Sequence, residues 1–233
     1  MAEFDQYANA YSDQIETDLS FFKQDHFFYL RVKADELLQH AFKMADASQA
    51  KDVSILDVGC GHGITHQYLL ENGKGRIDLH GTDTAEKVIG MAREMNPQTS
   101  YTVTAEDHLP YPDNSFDIVT ATCVVHHVPP AQWTSFLEEM KRVAKPGGSV
   151  VIFEHNPYNP VTSRIVKNCP LDENAVLLSA SKLKSHMRSA GLRCDRHDYL
   201  LFFPIDSAVA RVIEKVISWL PLGAQYAVYA SKA

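Results

Sequence analysis

An acid followed by three glycines spaced two apart, Asp57-Val-Gly59-Cys60-Gly61-His-Gly63, is the stretch of this sequence best suited to hold a ligand. Glycines at that spacing let a backbone turn sharply and lie against a ligand that a Cβ would push away. A helix starting near Gly63 leaves free N–H groups at the turn, but Asp57 puts a carboxylate beside them. That pairing suits a cationic or zwitterionic ligand better than a diphosphate. Ile64 stands where a dinucleotide turn would carry its third glycine, and no lysine follows as a P-loop requires. A second acid, Asp83, comes about twenty residues later, where a carboxylate at the end of the next strand accepts hydrogen bonds from both hydroxyls of a ribose. Thr84 beside it belongs to the same site and is also a good helix cap, a job that would leave Asp83 free for the ligand.

Histidines supply the candidate proton-transfer groups, because their charge changes near neutral pH. His126 and His127 follow the apolar run Ala121-Thr-Cys123-Val-Val: either is a general base, or one of the pair packs or caps. Glu154-His155-Asn156 ends a later strand, on the side where α/β enzymes bind substrates; these groups face an acceptor or stabilise the proline-rich turn they begin. His62 and His66 lie four apart on a helix, a spacing that can ligate zinc, but no third ligand accompanies them. They are expected on the surface, and no metal is expected.

These residues need a parallel sheet to bring them together. Val53 to Val58 reads as a buried strand, and from there apolar strand-like runs alternate with helical ones, as in a sheet with crossover helices. Strands are expected at 77–82, 100–104, 116–122 and 149–153, with helices at 85–95 and 131–144, the latter ended by Lys-Pro-Gly-Gly. Residues 155–180 carry turn signals and weak periodicity and read as an insertion over the acceptor side. A helix at 181–190, a strand at 192–203, a helix at 208–220 and a last strand at 225–230 complete the chain, the two late strands pairing antiparallel. Residues 1–50 form a helical N-terminal cap, with Phe4, Tyr7, Tyr11 and Ile15 at helical spacing, and 51–233 form the main domain.

The glycine stretch resembles motif I, D-x-G-x-G-x-G, of the class I S-adenosylmethionine-dependent methyltransferases. Thr104-Ala-Glu-Asp-His-Leu-Pro-Tyr-Pro-Asp-Asn-Ser-Phe-Asp117 is similar to that superfamily's D-A-E-x-L-P-F-x-D-x-S-F-D. Ala121-Thr-Cys-Val-Val-His-His-Val128 resembles the S-x-V-L-H-H-V of its ubiquinone-biosynthesis-type members. The resemblance is close over residues 50–155 and loose beyond. It implies an α/β, Rossmann-like, seven-stranded and mostly parallel sheet whose last strand is antiparallel, and S-adenosyl-L-methionine as cofactor with S-adenosyl-L-homocysteine as product. It also implies cofactor contacts at Asp57, Gly59, Cys60, Gly61, Asp83 and Thr84, with Ala105 and Glu106 at the adenine edge. His108 lengthens the Glu-to-Pro spacing by one, so either Glu106 or Asp107 reads the adenine. Cys123 is implied to pack on the methionine half and His127 to face the methyl group. Phe27-Phe-Tyr-Leu-Arg-Val-Lys33 resembles the F-x-x-x-K of related enzymes, which implies Lys33 on the cofactor carboxylate. Tyr11 then hydrogen-bonds near the sulfonium or latches onto His127, or is one member of an aromatic stripe. Methyl transfer from a sulfonium is an in-line displacement, so positioning and desolvation suffice unless the acceptor must lose a proton.

A formal charge of −7 and the absence of a basic cluster disfavour nucleic acid and anionic membranes, leaving a small-molecule methyl acceptor. The first residues have no basic or apolar leader and no run is long enough to span a bilayer, so the expected compartment is the cytoplasm, with the chain a monomer or homodimer. Four separated cysteines read as free thiols. The competing readings are a cofactor-binding cyclase or isomerase that transfers no methyl, a regulatory subunit, and a dinucleotide oxidoreductase, the last disfavoured by Ile64.

Overall fold

The structure, a computed structural model, describes residues 26–105 and 108–233. Tyr11 and the rest of the aromatic stripe before residue 26, and Glu106 with Asp107, lie outside the described residues. Seven strands, β1 (Val53–Val58), β2 (Ile77–Asp83), β3 (Ser100–Val103), β4 (Phe116–Thr122), β5 (Ala144–His155), β6 (Leu192–Leu200) and β7 (Gln225–Lys232), form one sheet in the order β3-β2-β1-β4-β5-β7-β6. All neighbours are parallel except β7, which runs antiparallel to both β5 and β6. From β1 the chain steps outward to β2 and β3, then returns to the other side of β1 as β4. That reversal opens a crevice beyond the carboxyl ends of β1 and β4, the place where open α/β sheets bind ligands.

Strand alternation divides the core into two layers. Ile55, Leu79, Ile118, Val151 and Phe153 face helix α1 (His26–Ser48), which buries Phe28 and then Ala34, Leu37, Leu38, Ala41 and Ala45 at spacings of three, one, three and four. The opposite face, with Leu56, Val119, Val150, Ile152 and Val228, packs on Trp133, Leu137 and Met140 of α4 (Trp133–Val143) and Leu183 and Met187 of α6 (Ala180–Ser189). Helices α2 (Ile64–Asn72) and α3 (Glu86–Met95) follow β1 and β2.

Four expectations about elements and their boundaries change. The turn-rich insertion contains a helix, α5 (Pro160–Asn168), whose Asn159 side chain caps the backbone N–H groups of Val161 and Thr162. Pro160 read as a breaker is the first helical residue, where its missing N–H costs nothing. Lys145-Pro-Gly-Gly does end α4, but it already belongs to β5: the register with β4 shifts between Phe116 and Ile118, and a bulge absorbs the glycines. The last helix, α7 (Ala208–Ile217), ends before Leu220, and β6 ends where Leu201 turns to a φ of 61°. No described helix is long and apolar enough to cross a membrane.

Candidate functional site

A cavity of about 840 Å³ occupies the crevice at the carboxyl ends of β1 and β4 and extends beneath α5 and the residues after β6. Two groups of polar residues line it, one at the glycine turn and one at the end of β4.

The turn after β1 is pinned by its own backbone, since the N–H groups of Gly59 and Cys60 both donate to the carbonyl of Thr82, at 2.7 and 3.0 Å. Gly59 has a φ of 74° and a Cβ there would stand 2.5 Å from a Val124 methyl, so both backbone and space demand glycine. Gly61 has a φ of 55° and nothing within 4 Å of where a Cβ would sit; it lines the open cavity. Asp83, at the end of β2, accepts hydrogen bonds from Gly61 N–H at 3.0 Å through Oδ2 and from Ala85 N–H at 3.0 Å through Oδ1. The sequence expectation that Thr84 would cap α3 and leave Asp83 free is therefore corrected: Asp83 itself tethers the glycine turn and the start of α3. Each of its oxygens retains a second lone pair, and both Asp83 and Thr84 line the cavity. Burial pushes the Asp83 carboxyl up, against the opposing pull of its N–H donors.

Beneath the turn, Asp57 Oδ2 lies 3.0 Å from His66 Nε2, and His66 Nδ1 lies 2.7 Å from the Tyr101 hydroxyl. Asp57 Oδ1 is buried without a hydrogen-bond partner among the described residues. His62 and His66 are both buried, not on the surface as expected. The first turn of α2 tucks back under the glycine loop, so His66 is spent on Asp57 and Tyr101 rather than offered to a zinc ion. Neither His66 as the partner of Asp57 nor Tyr101 as the partner of His66 was indicated by any spacing, because they come from α2 and β3. At the next strand end, Ala105 forms a β-bridge with His108, and the Thr104 hydroxyl donates to the His108 carbonyl at 2.6 Å. Ala105 and His108 line the cavity.

The second group starts at Cys123, which leaves β4 with a φ of 57°. Its Sγ lies 3.9 Å from Lys33 Nζ of α1 and 3.5 Å from Gln225 Nε2 of β7. Burial raises the thiol pKa, but Lys33 and His155 outweigh it and bring it down to about 7. Cys123, implied to pack on the methionine half of the cofactor, lines the cavity among polar partners. Lys33 is buried and lines the cavity. His126 and His127 follow in a short 3-10 turn, Val125–His127. His126 is fully buried, with Nδ1 2.6 Å from Glu154 Oε2 and Nε2 3.4 Å from Asp172 Oδ1. His127 Nε2 lies 3.4 Å from the same Asp172 oxygen. Burial opposes charge on His126, but the Glu154 carboxylate, with Asp172, holds its pKa well above the usual value. Burial and then the neighbouring His126 push His127 down to about 4. His127 is therefore neutral at pH 7 and a weak base.

His155 lines the cavity, 3.3 Å from Gln225 through Nδ1. Its neighbours do not share that role. Glu154 is buried behind His126, and Asn156 donates to the Pro221 and Gly223 carbonyls at 3.1 and 2.8 Å, fixing the approach to β7. Asp172 and Gln225 are site residues that sequence reasoning missed. Asp172 reaches the site only because its segment is tied down by the hydrogen bond from Val176 N–H to the His126 carbonyl, at 2.8 Å. Phe136, Val161, Ile165 and Phe202 add apolar wall. All four cysteines are free thiols, as expected.

A family model described as a methyltransferase domain matches residues 56–152, from β1 to β5. The chain is 34% identical over 139 residues to a demethylmenaquinone methyltransferase of Shouchella clausii, covering 55% of this chain and 58% of that protein. It is 30% identical over 121 residues to an uncharacterized methyltransferase of Synechocystis sp., covering 52% and 56%. Its matches thus span little more than half the length of these relatives. An S-adenosylmethionine-dependent methyltransferase of Thermotoga maritima shares the fold, with a TM-score of 0.66, 19% identity, and coverage of 99% and 98% of the two chains. These matches support the class I S-adenosylmethionine-dependent methyltransferase superfamily, through a methyltransferase domain at residues 56–152. The cofactor of that superfamily fits the glycine end of this cavity on two observations. Gly61 leaves open space where any side chain would intrude, and the partnerless Asp57 oxygen calls for a donor such as an ammonium group.

Proposed function

We propose that the protein transfers a methyl group from S-adenosylmethionine to an oxygen, nitrogen or carbon atom of a small metabolite. The observation that carries this reading is a single cavity joining the glycine turn and Asp83 to Cys123, His127 and His155. In this assignment Asp83 accepts hydrogen bonds from the ribose hydroxyls, with Thr84 beside it, while Gly59, Cys60 and Gly61 form the floor. Ala105, with either Glu106 or Asp107, is assigned to the adenine edge. Asp57 and Lys33 provide opposite charges for the ammonium and carboxylate of the methionine half. When bound, the cofactor supplies an electrophilic methyl group on a positively charged sulfur. The chain's own contribution is to exclude water, orient the acceptor against the apolar wall and take a proton where the acceptor has one to lose. His127, neutral at pH 7, is assigned that last task; His126, held by Glu154, packs against it with ring centroids 4.1 Å apart, and the His155 ring lies 5.2 Å from that of His126.

The mostly apolar wall suits a small organic acceptor, and the net charge of −7 supports such a partner over nucleic acid. The reading is of a cytoplasmic enzyme acting as a monomer or homodimer. Its test is an acceptor screen read by S-adenosylhomocysteine release. Stoichiometric release with a methylated product supports it. An acceptor converted without S-adenosylhomocysteine would assign the cavity to a non-methylating reaction instead.

A further inference from the structure

The buried cluster at the end of β4 has more ligating power than proton transfer requires. His126 Nε2, His127 Nε2 and Asp172 Oδ1 lie within 4.8 Å of one another, and both imidazole nitrogens stand 3.4 Å from the carboxylate oxygen. Ligands bound at zinc–nitrogen and zinc–oxygen distances of about 2.0–2.2 Å on a tetrahedron are separated by roughly 3.3–3.5 Å. Behind the cluster, Glu154 Oε2 sits 2.6 Å from Nδ1 of His126. A carboxylate on the far nitrogen is the support a metal-bound imidazole ordinarily has, fixing its tautomer so that Nε2 points at the ion. All three candidate ligands border the cavity, so a fourth position is open to it.

From these relations we propose that His126, His127 and Asp172 form a binding site for a divalent transition-metal ion, with Glu154 as the positioning residue. Two imidazoles with one carboxylate favour zinc or iron(II) over magnesium, which prefers an all-oxygen shell. The sequence expectation of no metal weighed only His62 and His66, whose helical spacing is visible along the chain. Asp172 comes from a different element, so this set is not. Resting on the methyltransferase reading, the site points to a hydroxylated acceptor. With the ion bound, His127 is a ligand and no longer the proton acceptor, so the acceptor oxygen would bind the ion as an alkoxide, phenolate or enolate, releasing its proton to solvent, and then bond to the methyl carbon as the sulfur–carbon bond breaks.

The test is calorimetric titration of chelator-stripped full-length protein with Zn²⁺, and separately with Mg²⁺. It is run beside a titration of the same metal-free protein with S-adenosylhomocysteine. One Zn²⁺ per chain, weakened at least tenfold in both Asp172→Ala and Asp172→Asn and in Glu154→Gln, and unchanged in His80→Gln, is the expected result. Thermal melts verify that each variant is folded, and a melting temperature raised by Zn²⁺ in wild type but not in Asp172→Asn gives a readout independent of heats. Zn²⁺ binding that Asp172→Asn leaves intact, or no binding by wild type, overturns the metal site. Failure to bind S-adenosylhomocysteine overturns the methyltransferase reading instead.

Discussion

Replacing Asp83 by alanine should separate two jobs that the structure places on one carboxylate. In the free protein it removes the acceptors of the Gly61 and Ala85 N–H groups, each 3.0 Å away. Loss of these two hydrogen bonds to a charged acceptor should lower folding stability by about 1 to 3 kcal/mol. In the complex it also removes the acceptor for the ribose hydroxyls. A hydrogen bond to a charged group contributes about 1.5 to 3 kcal/mol, so each one lost weakens binding by about tenfold to about 150-fold. Asp83→Asn keeps one neutral acceptor and should fall between wild type and alanine in both respects. The assay is calorimetric titration with S-adenosylhomocysteine, paired with urea denaturation of each variant without ligand. A folded Asp83→Ala protein that binds with wild-type affinity would refute the placement of the ribose, and unchanged stability would refute the tether.

Three further outcomes are expected. His40 is partly buried, 2.9 Å from the Ser149 hydroxyl, and burial lowers its pKa to about 4. With the folded value below the ordinary one near 6.5, the unfolded chain binds more protons as pH falls between them. Stability should therefore decline from about pH 6.5 toward 4, by up to about 3 kcal/mol, and His40→Gln should flatten that part of the denaturation-versus-pH curve. Cys123, with a pKa near 7, should be alkylated by iodoacetamide far faster at pH 8 than at pH 6, whereas Cys60, whose thiol burial pushes well above its ordinary range, should lag at both. Lys33→Met should move the Cys123 midpoint upward, and peptide mass spectrometry distinguishes the two thiols. His127→Ala should leave S-adenosylhomocysteine affinity within about twofold while lowering turnover by about 10²-fold or more if the acceptor gives up a proton there; wild-type turnover would make His127 a packing residue.

The strand positions were legible because each carries an apolar run whose alternation or length has a single good explanation, and the crossover pattern then dictates a parallel sheet. The glycine turn and Asp83 were legible for a similar reason: their chemistry is local, with the partners of each lying in the adjoining turn. What stayed hidden depends on distant elements. His66 looked like a surface residue because helical spacing says nothing about the carboxylate of Asp57 beneath the loop. Asp172 and Gln225 carry no spacing signal at all; they reach Cys123 and His126 through the packing of the segment after α5 and through insertion of β7 beside β5. The pair Glu154 and Asn156 looked equivalent in sequence, and strand alternation would put both on one face, but the strand ends at His155 and Asn156 already belongs to the turn beyond it. One backs His126 and the other secures the approach to β7.

The central claim is that the glycine end of the cavity holds the cofactor, and direct titration of the purified chain tests it. S-adenosylmethionine and S-adenosylhomocysteine should each bind one per chain, with NAD giving no saturable signal. Absence of binding by both, or saturable binding of NAD in their place, would contradict the assignment of Gly59, Gly61 and Asp83.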